Sequence, residues 1–321
     1  MKNFSELSQA FLQYFNAKHF PDQPIGLYGG ASYMLGVGGK RIRPVLCLMG
    51  NELFTDIQPD AWTIATGIEL FHNFTLIHDD IMDKAPLRRG KPTVHVLYNE
   101  SSALLAGDVM ILKAYEYFIS TDPGRVGTLI GLLNFTGRLV CEGQQLDMDF
   151  EKSTAVTLAD YLHMIELKTA VFLAASLQMG SVIAGACQAD QRHLFDFGKN
   201  LGLAFQVQDD WLDAFGDPST FGKQTGGDII QNKKTFLMMQ ALETADAKQR
   251  KEMLQLLDYS GPDKVERMLA LYRACGVDRA AEIAQQHYLD QALIHLEKIL
   301  APSERKEPLK ELAVYLLKRE F

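Results

Sequence analysis

Apolar residues recur at intervals of three and four along much of the chain. The spacing is clearest over residues 62–83, through Ile64, Ile68, Phe71 and Thr75, and it returns over residues 103–119 and 194–212. That is the period of an amphipathic helix. The alternation expected of a half-buried strand is scarce. Turn-forming clusters lie between the periodic segments: FPDQPIGLYGG at 20–30, TDPG at 121–124, FGDPSTFGKQTGGD at 215–228 and SGPD at 260–263. No linker is long or biased enough to mark a boundary, and no short repeat recurs. The pattern predicts a single all-α domain over residues 1–321.

One stretch invites a second reading. Residues 169–189, TAVFLAASLQMGSVIAGACQA, carry no charged side chain, which is enough length to cross a bilayer. Alanine, glycine and serine, with Gln178 and Gln188, leave it only weakly hydrophobic, as befits a helix packed on all sides inside a large protein. A buried core helix is the expectation, with no membrane span.

Composition narrows the classes of function. Of 321 residues 47% are hydrophobic, ample for a core. Lysine and arginine total 32 against 40 aspartates and glutamates, and a net charge of −8 argues against a general nucleic-acid binder. Any anion site must be local. Cys47, Cys141, Cys187 and Cys275 are far apart, form no CxxC pair and sit in apolar sequence, which suits reduced core thiols and a cytoplasmic setting. The N-terminal MKNFSELSQAFLQYF holds Glu6 and lacks the features of a signal peptide.

The candidate chemistry lies in a near-duplication. LIHDDIMD at 76–83 and VQDDWLD at 207–213 both contain Asp-Asp-x-x-Asp, about 130 residues apart, each ending a helical pattern. Residues four apart share a helix face, so Asp79 aligns with Asp83 and Asp209 with Asp213, while Asp80 and Asp210 turn aside. Like charges at that spacing repel, and an unpaired carboxylate in such apolar sequence is costly. Mg²⁺, which prefers oxygen ligands and is commonly shared between carboxylates and substrate phosphates, would offset both.

Metal-bound phosphate also accounts for the basic residues. GGKRIRP at 38–44 supplies Lys40, Arg41 and Arg43, and LRRGKPT at 87–93 supplies Arg88 and Arg89. Guanidinium groups grip phosphate through paired donors, and lysine acts as a compact positive charge. The GxxxxGK[ST] spacing of a phosphate-binding P-loop is absent. ELKTA, with Lys168 and Thr169, and FGKQTGGDIIQNKKT, with Lys223, Asp228, Lys233, Lys234 and Thr235, add lysines beside polar groups. Together they suggest two phosphate sites, one reached through the metal and one held directly.

The order GGKRIRP, ExxHxxxLIHDDxxD, RRGxPT, GD, KT, FQxxDDxxD, GKxxGGD and KKT, spanning residues 38–235, resembles that of the trans-isoprenyl diphosphate synthases, or polyprenyl synthetases. The resemblance implies an isoprenoid synthase fold, all-helical around a deep central cavity with the two aspartate motifs facing across its mouth, and a homodimer. It implies about three Mg²⁺ ions, with Asp79, Asp83 and Asp209 holding them on an allylic diphosphate and Asp80, Asp210 and Asp213 orienting ions and waters. Arg88, Lys168, Lys223 and Lys233 would contact that diphosphate. Lys40, Arg43, His72 and Arg89 would hold isopentenyl diphosphate. Thr169, Gln206 and the Lys168 carbonyl would stabilise the carbocation left when the allylic C–O bond ionises. Isopentenyl diphosphate attacks it and loses a proton, so no side-chain nucleophile is needed.

In that family, side chains one to two turns before the first motif form the floor of the product tunnel. Here they are Phe71, Phe74 and Thr75. A bulky residue at 74 with a smaller one at 75 resembles enzymes making C20 geranylgeranyl diphosphate, ahead of C15. Alternatives are a terpene cyclase, which needs no isopentenyl site, and a non-catalytic subunit of a heteromeric synthase, which usually loses aspartates that this chain keeps. GKQTGGD has one residue more than some farnesyl synthases, which bears on the reach of Lys223. Lys318 and Arg319 lie where relatives often carry basic residues near the substrate mouth.

Overall fold

The periodic stretch over residues 62–83 becomes helix α4, Pro59–Met82, which opens with proline at its first position, where no backbone N–H is needed. The stretch over 103–119 becomes α6, Glu100–Ile119, started by Asn99, whose side chain accepts the N–H of Ser102 at 2.8 Å. The stretch over 194–212 is the C-terminal part of α10, Gln188–Phe215. The predicted periodicity thus marks the buried interior of each helix, and the caps extend it. A computed structural model describes residues 1–16, 18–153, 155–216 and 225–317. These are almost wholly helical, as expected; the exception is a hairpin of two-residue strands, β1 Leu87–Arg88 and β2 Lys91–Pro92, followed by the single-turn helix α5, Val94–Leu97.

Contacts divide the chain into two compact units. The first comprises Met1–Phe135, Ala175–Leu194 and Ile299–Leu309, and the second Thr136–Ala174, Phe195–Lys298 and Lys310–Phe321. Each unit draws on three separate stretches of chain.

In the first unit, α1 (Phe4–Phe15) is started by a reciprocal Asn3–Glu6 capping box and buries Leu7, Phe11 and Phe15. Helix α2 (Ile25–Gly36) leads through a glycine-containing loop into α3 (Ile42–Glu52). Helix α9, Val171–Ile183, lies within the uncharged stretch and is the expected core helix; its part in this unit, from Ala175 on, has Ala175, Ser176, Leu177, Met179 and Ile183 fully buried. Its small residues have a specific use. A Cβ on Gly180 would lie 2.0 Å from the Cys47 carbonyl oxygen, and one on Gly50 would lie 2.2 Å from that of Leu177, so α3 and α9 touch backbone to backbone. No helix among the described residues is long and apolar enough to cross a membrane.

The second unit holds α8 (Leu158–Ile165), the C-terminal part of α10, and the helices Phe236–Thr244, Ala247–Leu257, Lys264–Ala274 and Val277–Lys298. Its core gathers Tyr161, Met164, Leu203, Val207, Phe236, Met239, Met268 and Tyr272. One expectation needs correction: only Cys47 is a core thiol, whereas Cys141 and Cys187 are exposed and Cys275 is partly so. The surrounding sequence is apolar in each case, but Cys141 falls on an outward face of α7 (Pro123–Lys152) and Cys187 immediately precedes α10.

Candidate active site

In the first unit the first aspartate cluster ends α4, where unpaired backbone carbonyls already favour a cation. Asp83 is the C-cap and is exposed, Asp79 is partly exposed, and Asp80 is buried at 2%. The hairpin that follows turns on Arg89 and Gly90, both at positive φ (52° and 74°), the signature of a two-residue turn whose twist matches its strands. That turn sends the two arginines to different places. Arg88 donates from Nε to both oxygens of Asp80 at 2.9 Å, and its Nη2 reaches Asp79 at 3.4 Å. Arg89 donates to the Gly38 carbonyl, beside Lys40. Burial raises the Asp80 carboxyl, and its bonds to Arg88 oppose that.

His72, two turns before Asp79 on α4, meets Arg43, with Arg43 Nη1 3.0 Å from His72 Nε2. A guanidinium only donates, so Nε2 accepts and the proton of the neutral ring is on Nδ1. Burial, then the charges of Arg43, Arg89, Arg88 and Arg41, hold this histidine well below its ordinary range. Burial also pushes Arg43 down to about 10. Lys40, Arg43, His72, Arg88 and Arg89 thus fall within one unit, four of them joined to α4 or to the 38–41 loop by these contacts. Phe71, at 3% exposure, is packed in the core and meets Phe74 edge-on at 4.8 Å, while Phe74 and Thr75 are partly exposed.

The second unit contains a polar cavity of about 230 Å³. Lys168, Thr169, Gln206, Asp209, Asp210, Asp213 and Lys233 all line it, as do Asp147, Tyr161 and Asp228. Lys168 and Thr169 sit in a single π-helical turn, Glu166–Ala170, between α8 and α9, closed by the Val171 N–H on the Glu166 carbonyl. Such turns interrupt the regular ladder and are frequent at functional sites. Gly143 lets α7 approach it: a Cβ there would lie 2.3 Å from the Lys168 nitrogen. The Lys168 ammonium is held by Asp147 at 2.6 Å.

The second aspartate cluster divides its work. Asp210 is buried and accepts three donors: the Tyr161 hydroxyl at 2.5 Å, the Phe236 N–H at 2.7 Å and the Gln206 amide at 3.3 Å. Burial pushes its carboxyl up to about 7, against the pull of the Tyr161 and Phe236 bonds. Asp213 accepts the Asp228 N–H at 2.9 Å, and its carbonyl accepts the Gly226 N–H at 2.6 Å. These bonds fold back the segment bearing Lys233, whose Nζ lies 3.8 Å from Asp228. Asp209 makes no hydrogen bond or ion pair with a described residue. A carboxylate with no such partner among the described residues, beside others that are engaged, suits a divalent cation, so the donor set fits Mg²⁺. Lys223, Lys318 and Arg319 lie outside the described residues. The sequence did not single out Glu69, Asp147 or Tyr161; ExxH marked the position of Glu69, but no local signal marked the other two.

Comparison with known proteins gives a consistent answer. The polyprenyl synthetase family model matches residues 26–275. The short chain isoprenyl diphosphate synthase of Methanothermobacter thermautotrophicus is 37% identical over 298 residues, 92% of this chain and 91% of that protein. The geranylfarnesyl diphosphate synthase of Natronomonas pharaonis is 35% identical over 320 residues, 93% of this chain and 92% of that protein. A crystal structure of a geranylgeranyl pyrophosphate synthase, 40% identical, superposes with a TM-score of 0.95 over 100% of both chains. The motif order, the all-helical fold and these matches agree, and the chain belongs to the polyprenyl synthetase family of trans-prenyltransferases.

Proposed function

We propose that the protein condenses isopentenyl diphosphate with an allylic diphosphate (dimethylallyl, geranyl or farnesyl) to give an all-trans product of C20, in preference to C15. The observation that carries this reading is the parting of two adjacent arginines. Arg88 goes to the aspartates that would hold a metal-bound diphosphate, and Arg89 goes to the Lys40 loop and its separate cationic cluster. A terpene cyclase needs only the first of these.

Asp79, Asp83 and Asp209 would hold Mg²⁺, with Asp80, Asp210 and Asp213 setting their surroundings. Bound Mg²⁺ supplies charge neutralisation to the departing diphosphate. By the family resemblance Arg88, Lys168, Lys223 and Lys233 would contact that diphosphate, and such donors strengthen as negative charge builds on it. Lys40, Arg43, His72 and Arg89 orient isopentenyl diphosphate so that its double bond attacks the allylic carbon as the C–O bond breaks. The neutral His72 fits this role, since it adds no positive charge of its own and accepts an N–H that orients the Arg43 guanidinium. Thr169, Gln206 and the Lys168 carbonyl present oxygen dipoles to the cation. Loss of one proton then completes the five-carbon addition, with the released diphosphate as its acceptor. The protein acts as a single catalytic domain, a homodimer and a cytoplasmic enzyme in this reading.

Phe74 beside Thr75 supports C20, and relatives of similar identity carry names of different product length, so length must be measured. Purified protein is incubated with Mg²⁺, isopentenyl diphosphate and each starter, and the dephosphorylated alcohols are sized by chromatography. A C20 alcohol is expected; products ending at C15 or C25 would correct the length, and cyclic hydrocarbons would favour the cyclase.

A further inference from the structure

We propose that Glu69 is a positioning residue for isopentenyl diphosphate, acting through Arg41 to hold the 38–41 loop and the start of α3 against α4; this rests on the function proposed above. Glu69 is 2% exposed, three residues before His72 on α4. Its Oε1 accepts from Arg41 Nη1 and from Asn73 Nδ2, the latter at 2.6 Å. Arg41 is itself buried, and its Nη2 donates to the Leu35 carbonyl at 2.7 Å.

Arg41 stands between the two cations assigned to the substrate, and its backbone is left-handed, φ 50° and ψ 38°, at the N-cap of α3. A non-glycine residue in that conformation needs outside support. The Glu69 and Leu35 bonds, together with the Arg41 guanidinium stacked 5.3 Å over the Phe15 ring, supply it. The end of the loop and the first turn of α3 are thus fastened to α4 at two points, Arg41 on Glu69 and Arg43 on His72.

The choice of a carboxylate has its own reason. Glutamine could accept both hydrogen bonds at lower desolvation cost, and the Glu69 Oε2 is buried with no hydrogen-bond partner among the described residues. What a carboxylate adds is charge. Arg43 and Arg89 both feel Glu69 as a stabilising anion while other arginines oppose them. Glu69 therefore offsets mutual repulsion in a cluster whose substrate is absent until it binds, and keeps the cluster assembled.

Glu69→Gln tests this by steady-state kinetics with each substrate varied in turn. The expected result is a KM for isopentenyl diphosphate raised fivefold or more, with the allylic KM and the saturating kcat within twofold of wild type. Arg41→Lys keeps the charge but loses the forked reach, should shift the same KM by threefold or more, and carries the test if E69Q does not fold. An unchanged isopentenyl KM, a rise of both KM values together, or a lower isopentenyl KM, as expected if Glu69 merely repels the substrate, would overturn the proposal. Wild-type protein that condenses nothing would instead overturn the function on which it rests.

Discussion

Tyr161 donates its hydroxyl to Asp210 at 2.5 Å, and the oxygen that receives it also accepts the Phe236 N–H at 2.7 Å. One buried carboxylate therefore ties α8, α10 and the start of helix Phe236–Thr244 together below the Lys233 segment. Burial, then the Asp210 charge, pushes the Tyr161 hydroxyl well above its ordinary range, so it stays a donor. Tyr161→Phe leaves a buried carboxylate one donor short, at a cost of about 1–3 kcal/mol. Denaturant melts should show a lower midpoint; an unchanged midpoint would contradict the assignment.

His72 gives a pH signature. The folded protein keeps the ring neutral, whereas the unfolded chain binds a proton as pH falls through about 6.5. Its share of stability is complete above that value and is lost as pH falls from there toward the lower folded pKa. His72→Gln keeps an acceptor for Arg43 but does not titrate. Between about pH 7.5 and 5.5 its denaturant midpoint should fall less than that of wild type, and equal falls would count against the neutral ring.

Much of this was legible in the sequence, for identifiable reasons. The aspartate clusters and the arginine pair are local patterns, and α4, α6 and α10 announce themselves by period. The parting of Arg88 from Arg89 was not visible, because it depends on a turn with two positive φ values that only Gly90 hints at. Asp147 and Tyr161 reach their partners across sequence separations of 21 and 49. Neither belongs to a motif, so only the folded chain shows that Lys168 and Asp210 are held. Cysteine exposure is not legible because apolar neighbours do not say which face of α7 Cys141 occupies, or that Cys187 and Cys275 fall at helix ends.

Asp209 and Asp210 are adjacent but should fail differently. Asp209→Asn would remove a proposed Mg²⁺ ligand and is expected to raise the Mg²⁺ half-saturation concentration and lower kcat on the order of a hundredfold, with little loss of stability. Asp210→Asn should chiefly lower the melting midpoint. Magnesium titrations of elongation rate and parallel melts separate them, and identical behaviour would refute the division of work.

If the side chains before the first aspartate motif form the tunnel floor as proposed, Phe74, which is partly exposed, should set product length more than Phe71, which is core. Phe74→Ala should lengthen the product by one or more five-carbon units. Phe71→Ala should mainly destabilise, by about 3–5 kcal/mol. Chromatographic sizing and denaturant melts decide, and a Phe74→Ala product of wild-type length would move the floor elsewhere.

The thiols offer a check on the fold. Burial raises the Cys47 thiol strongly, so Cys47 should resist a thiol reagent until the protein unfolds, while Cys141 and Cys187 react in the native state. Mass mapping of labelled peptides reads this directly, and native labelling of Cys47 would place α3 wrongly.

The proposed reaction joins two prenyl chains with release of one diphosphate, and it depends on Mg²⁺. The most direct measurement follows radiolabelled isopentenyl diphosphate into solvent-extractable alcohols after phosphatase treatment, with farnesyl diphosphate as starter, with Mg²⁺ and with chelator. Label in a C20 alcohol with Mg²⁺, abolished by chelator and restored by excess metal, is the predicted result. Folded protein that transfers no label with any starter, or transfers it equally well in chelator, would contradict the account.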